Sequence, residues 1–143
     1  MPADVAFCGR DDVEATTCAY SPGQLVLKLP LRVGATWHAD ARCEYGEGEA
    51  DHTVADAQVT ATSDDKIGGR TVRTFVVKAK ETYTETYPPD EEDPEDTGSF
   101  TTRLERTFHV DPATLMIVIE EQKSTDDDAS ITMRRVLRSL TPA

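Results

Sequence analysis

The sequence predicts a single all-β domain built as an antiparallel meander, a curved sheet or partly open barrel, with a two-sheet β-sandwich as the alternative. Three observations carry this prediction. Apolar residues recur at every second position through most of the chain, the stretches between them are rich in Gly, Pro, Asp and Ser, and no segment joins helical periodicity to capping residues. The 143 residues suffice for one hydrophobic core and are too few for two.

Residues 1–23 show no sustained period and end in Ser21-Pro22-Gly23, so they read as an irregular N-terminal arm preceding a β domain over 24–143. From Gln24 onward, Leu25, Leu27, Leu29, Leu31 and Val33 share one phase, which predicts a half-buried strand or extended segment. Pro30 lacks an amide hydrogen and places this segment at an edge or breaks it. Ala35, Trp37, Ala39, Ala41, Cys43 and Tyr45 then alternate against Thr36, His38, Asp40, Arg42 and Glu44, the clearest strand pattern in the chain. After the turn Gly46-Glu47-Gly48-Glu49 the alternation resumes from Thr53 to Ala61. Asp64 to Gly69 turns the chain into a long β-prone run over 71–87.

The loop 88–98 holds six carboxylates and three prolines with no apolar residue, and is expected to be exposed and mobile. Further strands follow around Phe100 to Val110, Leu115 to Gln122 and Ile131 to Leu140, separated by Asp111-Pro112 and by 124–128. Neighbouring antiparallel strands must place opposite residues on one face. Core-to-core pairing is achieved with Trp37 opposite Ala61, Val59 opposite Phe75, Ala79 opposite Phe108, Tyr83 opposite Leu104 and Ile119 opposite Met133. This alignment also sets Glu81 opposite Arg106 on the otherwise apolar phase, and puts Arg135 on the apolar phase of its own strand.

Fifteen Lys and Arg against 27 Asp and Glu leave a net charge of -12, which disfavours nucleic acid and anionic lipid surfaces. No apolar run is long enough to span a membrane, so direct insertion by this segment is not expected. Gly-rich phosphate loops, paired CxxC, HExxH and GxSxG are all missing from the sequence. His38, His52 and His109 are scattered and read as surface histidines, and the acidic loop matches no calcium-loop spacing, so neither a metal site nor a cofactor is expected. Cys8, Cys18 and Cys43 allow one internal disulfide, with Cys18–Cys43 and Cys8–Cys18 as the alternatives, or three idle thiols in a reducing compartment.

The segments Pro30 to Trp37, Gly69 to Phe75, Phe108 to Leu115 and Leu137 to Pro142 together resemble bacterial extracytoplasmic β domains. The pattern is similar to secreted or lipoprotein-type proteins of high-GC Gram-positive bacteria, and more distantly to the half-barrel lipoprotein carriers of the LolA and LolB type. The chain departs from those carriers in having no lipobox and no helices to plug a barrel. The resemblance implies an exported, non-catalytic domain. Its location is expected to be extracytoplasmic where an export signal precedes the segment, and cytoplasmic otherwise.

These readings converge on a non-enzymatic binding or interaction domain. Trp37, Tyr83 and Phe108 would line a ligand cavity on the concave face of the sheet, and Glu81 with Arg106 would orient a small apolar ligand there. A structural domain of a larger cell-surface protein, docking a protein partner, is one alternative. A hydrolase using Glu81 or Glu121 is the other.

Overall fold

A computed structural model of the chain describes residues 17–20 and 27–139. Seven strands follow in chain order: β1 (Thr17–Tyr20), β2 (Thr36–Glu44), β3 (Ala50–Ile67), β4 (Arg70–Thr86), β5 (Ser99–Val110), β6 (Ile117–Thr125) and β7 (Ser130–Val136). Each pairs antiparallel with the next, giving one sheet in which β1 and β7 are the two edges and do not meet. The all-β meander is therefore as expected; it is neither a closed barrel nor a two-sheet sandwich. Among the described residues no helix is long and apolar enough to cross a membrane. Thr17–Tyr20, inside the arm expected to be irregular, forms β1 against β2.

The alternation read from the sequence decides the faces. On β2, Trp37, Ala39, Ala41 and Cys43 are buried while His38 and Arg42 are exposed. Trp37, Ala57, Val59, Val77, Phe108 and Val110 form the core on this inner face. Leu27, Leu31 and Ala35 pack onto the core from the segment before β2. That segment is not the expected strand. Its apolar phase divides, for Leu29 and Val33 are 57% and 56% exposed while Leu27 and Leu31 turn inward. Alternation along an irregular chain no longer means alternation between two faces, since only a pleated strand couples them. Gln24 and Leu25 lie outside the described residues.

Observed registers differ from those expected by even steps. Trp37 lies opposite Ala57, Val59 opposite Val77, Ala79 opposite Arg106 and Tyr83 opposite Thr102. Sliding a strand by two or four residues leaves every side chain on its face, so the inner set survives while its partners change. The last hairpin slips by an odd step, pairing Ile119 with Val136 and Gln122 with Met133.

Two one-residue register shifts re-aim the strands. Between Val59 and Ala61 of β3 the pairing gains a residue, so that Ser63 and Asp65 share a face with Val72, Thr74 and Val76 rather than with Val77. The second shift lies between His109 and Val110. On the outer face so created, Ile67 and Thr74 are almost wholly buried. The end of the described chain passes over this hairpin tip. Leu137 N–H donates to Val118 O at 2.8 Å, and a Cβ on Gly68, whose φ is +57°, would come within 2.9 Å of the Arg138 carbonyl oxygen.

Candidate functional site

Beyond the apolar core the inner face turns polar along β4, β5 and β6. Glu81 lies opposite Leu104 rather than Arg106, and Arg106 is reached diagonally. Its Nη1 stands 3.7 Å from Glu81 Oε2, and its Nη2 donates to Glu120 Oε1 at 3.0 Å. Glu120, on β6, was not singled out from the sequence. The one-residue shift beside Val110 moves it onto the inner face, and nothing in the alternation of β6 signals that shift. Arg106 Nε is buried and its N–H has no acceptor among the described residues. An unsatisfied buried donor costs about 1–3 kcal/mol, more on a charged group. Arg135, expected on an apolar phase, lies opposite Glu120.

Tyr83, two residues along β4 from Glu81, joins a second polar group. Asp51 is buried opposite Cys43, and Tyr45 donates its hydroxyl to Asp51 Oδ2 at 2.9 Å. Burial, and then the hydrogen bond to Asp51, push the Tyr83 phenol well above its ordinary value. Asp51 Oδ1 is buried without a donor among the described residues. The strip from Asp51 through Tyr83 and Glu81 to Arg106 and Glu120 thus holds two unsatisfied polar atoms on opposite charges.

The five residues expected to line one cavity divide into two groups. Trp37 and Phe108 belong to the packed core, where Leu27 and Leu31 lie against it, while Glu81, Tyr83 and Arg106 belong to the polar strip. A groove of about 570 Å³ lies instead along the Lys28–Thr36 segment, and none of the five lines it. Cys43 is disulfide-bonded, so the pairing of Cys8 with Cys18 that would leave Cys43 as the thiol does not hold. The backbone of Cys18 lies opposite Cys43 in the β1–β2 register. Cys8 lies outside the described residues.

A third cluster sits on the outer face and was not anticipated. Asp65 Oδ2 accepts from Thr74 Oγ1 and from His109 Nδ1, each at 2.6 Å, and Oδ1 accepts from Ser63 Oγ at 3.0 Å. Burial raises the Asp65 carboxyl, but the bonds from Thr74, His109 and Ser63 outweigh it and hold the group below its ordinary value of 3.8. An ionised carboxylate only accepts, so His109 Nδ1 carries the proton. His109 is therefore no surface histidine: its side chain is 19% exposed. Forty-four residues separate it from Asp65, and the two meet only because β3 shifts its register before Asp65. His38 and His52 do lie at the surface, paired with Asp56 at 2.8 Å and Asp40 at 2.9 Å.

The acidic loop is exposed and knitted by Asx turns. Asp96 Oδ2 accepts from Asp90 N and Oδ1 from Gly98 N, which hold the Asp96 carboxyl below its ordinary value. Among the described residues no group of three or more His, Cys, Asp or Glu is placed to hold a metal ion. No family model matches the chain, and no curated protein and no solved structure matches it either.

Proposed function

We propose that the chain is an extracytoplasmic, non-enzymatic binding domain that holds a small, largely apolar ligand on the inner face of its open sheet. The carrying observation is Arg106, whose buried Nε–H lacks an acceptor between Glu81 and Glu120, beside the half-buried Tyr83 and Leu104. A ligand with an apolar body and one acceptor atom complements that surface once the partly exposed Arg106 side chain turns its Nε–H outward, because it then satisfies a donor the chain leaves unpaired. The disulfide at Cys43 supports an oxidising compartment, where such bonds persist. Both nearby carboxylates are engaged by one guanidinium, an arrangement that suits orientation of a ligand better than proton transfer.

The test uses anilinonaphthalene sulfonate, an apolar body bearing one anionic acceptor, titrated into the labelled chain and followed by NMR. Shifts concentrated on Tyr83, Leu104 and the Arg106 side chain, lost in Arg106→Met, are expected. Shifts absent from the inner face, or unchanged in Arg106→Met, would overturn the assignment.

A further inference from the structure

We propose that the free edge of β7 is a docking strand for an extended acidic segment of a partner protein, which joins the sheet by backbone pairing. The outward backbone groups of this edge do not belong to the inner-face site, although Arg135 lies opposite Glu120 at the border of that site. β7 pairs only with β6, so among the described residues its second edge has no neighbour. Leu137 N–H donates to Val118 O, one step past the pair Val136 and Ile119. Ladder alternation then turns the amides of Met133 and Arg135 toward β6, and sends the amides and carbonyls of Thr132, Arg134 and Val136 to the free edge.

Exposed edges are usually blunted by proline, a bulge or a covering segment. β7 has no proline and no register shift against β6. What it carries is charge of the sign opposite to the rest of the chain. Residues 130–139 include Arg134, Arg135 and Arg138 and no carboxylate, on a chain of net charge -12. Arg134 is held by Glu121 at 2.9 Å, but Arg135 donates only to Met133 Sδ at 3.2 Å, and Arg138 has no ion pair among the described residues.

This charge selects the occupant. A second copy pairing through β7 would bring Arg135 and Arg138 of each chain to one seam, where like charges repel. An acidic strand neutralises them. Glu121 holds Arg134 and Glu120 lies opposite Arg135 on β6, so the charge left for an acidic strand is that of Arg135 and Arg138. Carboxylates farther off oppose it only weakly, because charges are screened beyond about 8 Å at physiological salt. Ile131 and Val136, 67% and 43% exposed, offer apolar contact on the two faces of the added strand.

The experiment follows amide exchange by NMR on the full chain with a blocked heptapeptide alternating Glu with Val and Thr, and with its Lys counterpart. The Glu peptide is expected to slow exchange at Thr132, Arg134 and Val136 about tenfold, and the Lys peptide to leave it unchanged. Thr132→Pro removes an outward amide and leaves the arginines, while Arg135→Glu with Arg138→Glu reverses charge and leaves the backbone. Each is expected to weaken binding about tenfold or more while the chain stays folded by circular dichroism, the charge-reversed variant with a slightly lower unfolding midpoint because its new carboxylate faces Glu120. Should Thr132→Pro disturb the fold, the charge-reversed variant alone decides. The proposal is overturned by missing protection, by equal protection from the Lys peptide, or by binding that survives charge reversal. Protection that grows with protein concentration without peptide also overturns it, since the edge then serves a second copy.

Discussion

Replacing Asp65 by asparagine separates charge from shape in the outer-face cluster. The amide oxygen of Asn can take over the two bonds accepted by Oδ2 from Thr74 and His109, and the Ser63 hydroxyl can rotate to accept from the new NH2. What is lost is the negative charge. Hydrogen bonds to a charged group contribute about 1.5–3 kcal/mol and neutral ones about 0.5–1.5, so each of the two short bonds weakens by about 1 kcal/mol. Asp65→Asn is therefore expected to destabilise the fold by about 2 kcal/mol at neutral pH.

The sign of the pH dependence follows from the depressed carboxyl. Asp65 sits below its ordinary value of 3.8 in the fold, so its contribution is fully present above that value. It is lost as pH falls through the lower, folded value. The gap between the parent chain and Asp65→Asn should thus be widest at neutral pH and shrink in acid, below about pH 4. Urea unfolding followed by far-ultraviolet circular dichroism, at neutral pH and in acid, measures both. A gap under about 0.5 kcal/mol at neutral pH, or one that does not shrink in acid, would refute the reasoning.

Three further outcomes are expected. Phe108→Ala should cost about 3–5 kcal/mol in urea unfolding, because Phe108 is buried among Trp37, Val59 and Val77; Phe100→Ala, at an exposed position, should cost far less. Gly98→Ala should cost about 2 kcal/mol or more by the same measurement, since φ is +69° and the new Cβ would lie 2.7 Å from the Tyr87 carbonyl oxygen. Leu115→Gly should raise the melting temperature, with a gain of up to about 1 kcal/mol, because Leu115 holds φ at +60° with its side chain largely exposed.

Alternation along the chain was enough to identify the meander, most of the strands, and the inner faces of β2 and β4. Each side-chain direction in a pleated strand is a local property, set by neighbouring residues alone. Tyr83, Glu81 and Arg106 were legible as inward residues for the same reason. Register was not legible, because a period of two is unchanged by a slip of two, and so Glu81 and Arg106 meet on a diagonal instead of face to face. The single-residue shifts at Val59 and Val110 were invisible as well, since an extra residue costs the pattern nothing until a neighbouring strand is laid beside it. Those two shifts bring Asp65 to His109 and Glu120 to Arg106. The sequence by itself determined which residues point together within a strand; only the tertiary structure decided which strands' residues meet, because that depends on long-range pairing that no local pattern encodes.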